Sequence, residues 1–300
     1  MVYDSIIIGS GASGMTCALY LLRNDKKVLL LEKENIGGQI ANSPLVENFP
    51  SIKKISGLDF SNNLFDQISD LGVDFELEDV LEINKVGSLF VVKTNYNTFE
   101  AKTVVIANGV KHRTLKLPNE ENLIGNGISF CAVCDGPMLK GKEAYLIGDA
   151  NTALQYALLL SDYCTKVHMF TLTDKLFGDE MVIDKVNKKE NIYIHKNMSL
   201  IEYKGENKLE GLIFENTIDK TKNEFKTDNV FIAIGQIPQN ERFSNLVDLD
   251  KGYVLVNEKM ETKTPNIYAV GDTRKKEVRQ LVTACNDGAI AALNIIKYLS

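Results

Sequence analysis

The residues Gly9-Ser10-Gly11-Ala12-Ser13-Gly14 follow a run of buried-strand type, SIIIG, and open a segment with helical apolar spacing at Met15, Ala18, Leu19 and Leu22. The next apolar run, KVLLLEK, reads as a second buried strand. Strand, glycine turn, helix, strand is a βαβ unit, and it commits this part of the chain to a parallel sheet. The same plan returns at Glu143: EAYLIG, a helix over 152–163, then the strand KVHMFTL. Each opening is followed by further short strands, and each half closes on an Ala-x-Gly strand, TVVIANG at 103–109 and VFIAIGQ at 230–236. Between residues 37 and 72 the chain is loop and helix punctuated by Pro44, Pro50 and Gly57. From Val73, the runs VDFEL, EDVLEIN, SLFVVKT, TFEAK and TVVIANG read as a meander, and NIYIHK, LEGLIFEN and EFKTDNVFIAIG as its counterpart. The expected fold is α/β, with two Rossmann-like three-layer domains, each a parallel sheet plus a β-meander. The tail, TPNIYAVGDT and then LVTACNDGAIAALNII, reads as a strand, a turn and a helix that complete the first domain.

The first turn has the chemistry of a dinucleotide site. Gly9 permits the tight turn, Gly11 lets the backbone approach a pyrophosphate, and Gly14 allows close packing of helix on strand. The helix start offers free N–H groups to phosphates. Glu32 ends the second strand, where an acid binds ribose hydroxyls. A carboxylate there disfavours a 2′-phosphate and points to FAD or NAD.

Composition sets bounds on function. With 44% apolar and 25% charged residues the chain is of soluble globular type, and no segment approaches the ~18 apolar residues of a membrane span. A net charge of −6 argues against general nucleic-acid binding. There are five cysteines, an odd number, and the N-terminus MVYDSIIIGS shows no export pattern, so a reducing cytoplasm is expected. Cys17 and Cys164 lie in apolar helix-like settings and read as inert core, while Cys285 stays ambiguous.

Cys131-Ala132-Val133-Cys134-Asp135-Gly136 holds the one CxxC. A zinc site needs about four ligands, and with no second CxxC and three scattered histidines it is disfavoured, leaving no metal expected. Two readings remain, a buried apolar pair of thiols and a redox pair. The redox reading is the stronger, because two intervening residues permit a small disulfide ring and a neighbouring acid moves protons during exchange.

With these residues in view the chain resembles the low-molecular-weight thioredoxin reductases, flavoproteins with two dinucleotide-binding domains, nearly end to end. GSGASG with Glu32, Gly37-Gly38-Gln39, Glu47-Asn48-Phe49-Pro50, CAVCDG, NIYAVGDT, Arg279-Gln280 and Thr283-Ala284 carry the resemblance, and CAVCDG is its most specific signature. The resemblance implies an FAD domain at 1–111 and 243–300, an inserted domain at 112–242 that carries the CxxC, and a homodimer. It implies FAD contacts from Gly9, Gly11, Ser13, Gly14, Glu32, Lys33, Gly38, Gln39, Asn48, Ala107, Gly109, Gly271, Asp272, Arg279 and Gln280. It further implies that Cys134 lies against the flavin, that Cys131 attacks the partner disulfide, and that Asp135 is the acid–base group. ACNDG departs from the pattern, with Cys285 and Asn286 where smaller residues are usual.

The larger departure is the second turn, Gly148-Asp149-Ala150-Asn151-Thr152-Ala153. The family binds NADPH there through GxGxxA and an arginine-bearing segment after the next strand. Here Ala150 puts a methyl where backbone should approach phosphate, and Asp149 adds like charge. At ~4 Å that repulsion is worth roughly 1 to 4 kcal/mol, about a 5- to 1,000-fold loss in affinity. The following strand leads into Leu172, Thr173, Asp174 and Lys175, with no arginine to grip a 2′-phosphate. The chain therefore resembles the branch of the family that lacks nicotinamide motifs and takes electrons from ferredoxin. A ferredoxin near about −400 mV and a thioredoxin near about −270 mV make two-electron transfer roughly 6 kcal/mol downhill. Two basic runs, Arg274-Lys275-Lys276 with Arg279, and Lys111, His112, Arg113 and Lys116, are candidates for docking an acidic ferredoxin or are solvated surface charge. The rival readings are an NADPH thioredoxin reductase with a weakened site, a flavin-dependent dithiol oxidase, and a non-catalytic flavoprotein redox sensor. The thioredoxin reductase-like ferredoxin–NADP reductases are disfavoured, having no need of CAVCDG.

Overall fold

The computed structural model describes residues 1–43 and 46–300, so Pro44 lies outside the described residues. Contacts divide the chain into two compact units, one of Met1–Lys111 with Ile237–Ser300 and one of His112–Gln236. Residues 237–242 thus fall with the first unit.

The first unit begins with β1 (Val2–Ile8), α1 (Ala12–Leu22), β2 (Val28–Glu32), α2 (Gly57–Asp70) and β3 (Asp74–Leu77). Then come β4 (Val80–Val86), β5 (Leu89–Thr94) and β6 (Thr98–Ile106). The sheet order is β3-β2-β1-β6-β5-β4. VDFEL does not open the meander. It forms β3, parallel to β2 from Leu29↔Asp74 to Glu32↔Leu77. TFEAK and TVVI fuse into the single strand β6, so the meander is β4, β5 and β6.

Alternation along β1 builds the layers. Ile6 and Ile8 face a core shared with Val80, Ile83, Phe90 and Val92 of the meander. Ile7 faces the opposite core, with Met15, Ala18 and Leu21 of α1. A strand covered on both faces has no polar side to show, which is why SIIIG reads as continuous apolar sequence. Each such isoleucine contributes about 1.5–3 kcal/mol on burial.

The second unit follows the short strand β7 (Val110–His112), with α3 (Glu120–Leu123), β8 (Ile128–Ser129), α4 (Ala132–Asp135), β9 (Glu143–Ile147), α5 (Asn151–Ser161) and β10 (Lys166–Phe170). Next are α6 (Glu180–Asn187), β11 (Ile192–His195), β12 (Met198–Lys204), β13 (Gly211–Asn216), β14 (Lys222–Lys226) and β15 (Val230–Ile232). Its parallel sheet runs β11-β10-β9-β15-β8, and β12-β13-β14 form a separate three-stranded sheet. NIYIHK is therefore a parallel strand and not part of the meander. Leu146 and Met169 face α5, while Tyr145, Ile147 and Phe170 face the three-stranded sheet.

The chain returns through β16 (Gln236–Pro238), which pairs with β7. The hairpin β17 (Leu249–Asp250) and β18 (Tyr253–Val254) follows, then β19 (Ile267–Ala269) and α7 (Leu281–Leu299). β19 lies parallel to the end of β6, from Ile267↔Val104 to Ala269↔Ile106. α7 lies against α1 at backbone distance: a Cβ on Gly288 would stand 2.2 Å from the Ser13 carbonyl oxygen. The tail thus completes the first unit.

Candidate active site

In the first unit the turn after β1 is fixed by close backbone packing. A Cβ on Gly9 would stand 2.4 Å from the Ala107 oxygen, and one on Gly14 would stand 2.0 Å from the Gly9 oxygen. Those two glycines are required by the fold. Gly11 is not: its φ is −70°, and a Cβ there would meet only the Gly37 oxygen, at 3.9 Å. Gly11 caps α1 without a side-chain bond, so the first N–H groups of that helix have no side-chain cap. Open space before uncapped N–H groups is what a diphosphate requires. The second wall is the Gly37-Gly38 turn. Gly37 donates its N–H to the Ser10 carbonyl at 3.1 Å and bridges to Gly11, and Gly38 lies beside the Gly11 Cα.

Glu32 is buried and saturated. Its Oε2 accepts from the Ser10 N–H and hydroxyl at 2.9 and 2.8 Å, and its Oε1 accepts from the Lys33 and Glu34 N–H groups at 2.8 and 3.0 Å. The carboxylate holds the two loops together, and a ribose hydroxyl would have to share one of these acceptor positions.

The other residues singled out in the sequence fall in the same unit. Gly271, at φ +77°, lies against the Ser13 hydroxyl, and Gly109 needs its glycine for a φ of +61° with open space around it. Asn48 donates to the Gln280 side-chain oxygen at 3.2 Å at the start of α7. Arg279 lies over the Tyr253 ring at 4.4 Å, and its Nε is buried without a hydrogen-bond partner among the described residues. Gln39 and Lys33 reach instead to connecting segments, Gln39 to the Val110 carbonyl and Lys33 to the Gln239 side chain at 2.9 Å. The open cradle at Gly11 and the buried Arg279 Nε, which has no hydrogen-bond partner among the described residues, fit a bound dinucleotide cofactor.

Asp272 and the basic run beside it form a network that the sequence did not reveal. Asp287 of α7 is fully buried. It accepts from the Gly271 N–H at 3.1 Å, from Arg274 Nε and Nη2 at 2.7 and 2.8 Å, and from Lys276 Nζ at 3.2 Å. Lys276 also lies 3.2 Å from Asp272 Oδ1, and its side chain is 6% exposed. Lys275 pairs with Asp250 at 2.6 Å. Arg274-Lys275-Lys276 is therefore not a free docking patch, because each cation already has a carboxylate. In the other run Lys111 pairs with Glu34 at 2.7 Å and His112 stacks on Phe130, which leaves Arg113 and Lys116 exposed.

In the second unit, Cys131 and Cys134 form a disulfide. Cys131 is the N-cap of α4: its carbonyl accepts from the N–H groups of Cys134 and Asp135 at 3.1 and 3.0 Å, and its Sγ from Cys134 N–H at 3.2 Å. Asp135 comes back one turn later beside Ser129, whose hydroxyl donates to Oδ2. Burial raises the Asp135 carboxyl above the ordinary range, and the Ser129 bond opposes the shift. A half-buried disulfide beside a half-buried acid is equipped for thiol exchange with proton transfer. Cys17 and Cys164 are buried, with thiols pushed up by burial, in keeping with inert core. Cys285 is partly exposed.

The second turn copies the backbone of the first and changes its chemistry. Phe177 donates its N–H to the Asp149 carbonyl at 2.7 Å and bridges to Ala150, so Phe177-Gly178 stands where Gly37-Gly38 stands in the first unit. Phe177 is 58% exposed. Ala150 is the exposed N-cap of α5 and Asp149 is half-buried. The β1–β2 and β9–β10 registers place Thr171 where Glu32 stands, and its hydroxyl donates to the Thr173 carbonyl at 2.7 Å. The described residues here include neither a carboxylate for a ribose nor an arginine for a 2′-phosphate. Aligning the two halves beyond their glycine turns would have found both Phe177 and Thr171.

Two dinucleotide-type units, one with an open diphosphate cradle and one with a cysteine disulfide beside an acid, define a disulfide oxidoreductase architecture. The chain matches the family described as pyridine nucleotide-disulphide oxidoreductase over residues 3–288, and it belongs to that family. It is 36% identical to the thioredoxin reductase of Bacillus subtilis (strain 168), over 99% of this chain and 95% of that protein. It is 35% identical to a 34.2 kDa protein in the rubredoxin operon of Clostridium pasteurianum, over 99% and 97%. Among solved structures, thioredoxin reductase from Streptococcus pyogenes MGAS5005 superposes with a TM-score of 0.95 at 32% identity, over 99% of this chain and 98% of that one. Among the described residues no helix is long and apolar enough to cross a membrane.

Proposed function

We propose that this chain is an FAD-dependent disulfide reductase that reduces thioredoxin through Cys131–Cys134, with electrons supplied by ferredoxin. In this reading FAD lies in the Gly11 cradle, and the enzyme works in the cytoplasm as a homodimer. Bound there, FAD would accept electrons singly and deliver two to a disulfide.

The chain's own residues carry the second half of the reaction. Once reduced, Cys131 as thiolate attacks one sulfur of the partner disulfide. The partner's S–S bond breaks, a Cys131–partner bond forms, and the leaving thiolate takes a proton. Cys134 then attacks Cys131, its thiol proton passes to the second partner sulfur, and that sulfur leaves as a thiol. Two electrons and two protons have then moved to the partner, and the Cys131–Cys134 bond is restored. Asp135, whose proton is held more tightly because of burial, holds and returns that proton.

The observation that carries the choice of donor is the second turn. Asp149, Ala150, Phe177 and Thr171 occupy the four places where a nicotinamide dinucleotide needs a phosphate approach, an open wall and a ribose acceptor. A relative encoded in a rubredoxin operon is in keeping with a one-electron protein donor. The test is anaerobic titration of the holoenzyme with NADPH, NADH or reduced ferredoxin while flavin absorbance is followed. Bleaching by ferredoxin alone is expected. Rapid bleaching by micromolar NADPH overturns the choice of donor. Bleaching by none, with oxygen uptake on adding a dithiol, assigns the chain to dithiol oxidases instead.

A further inference from the structure

Asp135 is held in an unequal way. Its Oδ2 accepts the Ser129 hydroxyl proton, while Oδ1 is buried and has no hydrogen-bond partner among the described residues. The Ser129 oxygen in turn accepts from the Cys131 N–H at 3.1 Å. A hydroxyl has one proton to donate, so Ser129 is fully committed in this direction, from the Cys131 backbone to the Asp135 carboxylate.

We propose that Ser129 is a positioning residue for the Cys131–Cys134 exchange: it ties the Asp135 carboxyl to the Cys131 backbone and leaves Oδ1 as the atom that takes up and gives back the proton. The proposal rests on the reading that Cys131 and Cys134 are the redox pair and Asp135 their proton carrier.

The surroundings exclude another side chain for this task. Tyr156 faces the same region, but its hydroxyl donates to the Phe130 carbonyl at 3.3 Å. His112 stacks on the Phe130 ring at 4.5 Å between centroids and 9° between planes, and burial holds its pKa down to about 4. It is neutral at working pH, and its contact is with Phe130. These two fix Phe130, and so the path from Ser129 to Cys131; the Asp135 carboxylate nearby adds to the burial that raises the Tyr156 phenol. Ser129 and Cys131 are two residues apart on the strand that leaves β8, whereas Asp135 returns through the single turn of α4. The hydroxyl is the side-chain link from that strand to the Asp135 carboxyl. It also has an electrostatic effect of known sign: a donor to the ionised carboxyl favours release of the proton, against the burial that retains it.

During exchange the proton balance is simple. When the partner's S–S bond breaks, the leaving thiolate takes the proton from Oδ1, and Asp135 becomes a carboxylate stabilised by Ser129. When Cys134 attacks Cys131 and restores their bond, its thiol proton passes to the second partner sulfur, so two electrons and two protons have gone to the partner. Asp135 is reprotonated when the pair is next reduced.

The experiment uses the full-length holoenzyme, reduced with dithiothreitol and desalted without oxygen. It is mixed with the small disulfide 5,5′-dithiobis(2-nitrobenzoic acid), and the single-turnover release of thiolate is followed against pH. Ser129→Ala is expected to move the carboxyl-dependent limb to higher pH by about one unit, the size of one hydrogen bond to a charged group. Ser129→Gly must give the same shift, and Ser129→Thr must restore the original profile. Ser129→Ala combined with Asp135→Asn must behave as Asp135→Asn alone. A uniform slowing with no shift, a failure of Thr to restore the profile, or additive losses in the double variant overturn the proposal. If Asp135→Asn keeps the limb, or Cys131→Ser still releases two thiolates per turnover, the reading of the redox pair fails instead, and the two failures are told apart.

Discussion

The Phe177 N–H donates to the Asp149 carbonyl at 2.7 Å, as the Gly37 N–H donates to the Ser10 carbonyl at 3.1 Å in the other unit. The backbone of a dinucleotide turn is thus built twice. In one copy the corner residues are Ser10, Gly11 and Gly37, with open space at Gly11, and in the other they are Asp149, Ala150 and the exposed Phe177. Keeping the hydrogen bond preserves the strand-to-helix corner, and the side chains decide what approaches it.

Removing the obstruction restores affinity in steps. Asp149→Ser with Ala150→Gly is expected to tighten NADPH binding by at least about fivefold, the lower bound for losing one like charge near a phosphate. Adding arginines at Leu172 and Thr173 tightens it further and favours NADPH over NADH, because the fork of arginine grips a 2′-phosphate. Calorimetric titration of each variant measures the series. No gain from any of them means that the turn is closed by something other than these side chains.

The two kinds of glycine in the first turn separate stability from cofactor binding. Gly14→Ala places a Cβ 2.0 Å from the Gly9 oxygen, so the apoprotein is expected to lose several °C in Tm or fail to fold. Gly11→Ala meets nothing closer than 3.9 Å, so the apoprotein is expected to stay within about 0.5 kcal/mol of the parent. FAD affinity of the Gly11 variant falls by at least about tenfold, since the methyl stands where phosphate approaches. Thermal melts of apoprotein and flavin fluorescence titrations read the two effects independently.

Asp287 is a buried hub for two cations. Asp287→Asn leaves Arg274 and Lys276, with side chains 19% and 6% exposed, short of a full counter-charge. Breaking one side of such a buried cluster costs about 3–5 kcal/mol. Urea denaturation at fixed FAD concentration checks the figure, and a loss under about 1 kcal/mol means that the cations relax into solvent.

All three histidines are buried enough that their pKa values fall, His112 to about 4. The unfolded chain takes up these protons near pH 6.5, and the folded chain only below that. Their contribution to stability is therefore complete above pH 6.5 and is lost as pH falls through the folded values. For His112 the difference between 6.5 and about 4 corresponds to roughly 3 kcal/mol by pH 4. His112→Phe, which keeps the stack on Phe130, is expected to flatten that part of the stability–pH curve. An unchanged slope assigns the acid sensitivity to His168 and His195, which share a 3.0 Å contact.

Much of the fold was legible because burial on both faces leaves a direct trace in sequence. SIIIG, KVLLLE and EAYLIG are continuous apolar runs, and each became a central parallel strand. The peripheral strands were less legible. VDFEL and NIYIHK alternate or mix polarity, as either an edge parallel strand or a meander strand does, and pairing with β2 and β10 decided the matter. Composition also could not show that the cations at 274–276 turn inward, because the carboxylates that hold them, Asp287 and Asp250, lie 11 to 25 residues away along the chain.

By itself the sequence determined the parallel α/β plan, its repetition, the glycine turn and the cysteine pair, because each is a local pattern of residue type and spacing. Only the tertiary structure decided which glycines serve packing and which leave room, that Glu32 is saturated by four donors, and that the cations at 274–276 turn inward onto Asp287 and Asp250. Those are statements about distance between segments far apart in the chain, and a distance of that kind exists only once the layers have packed.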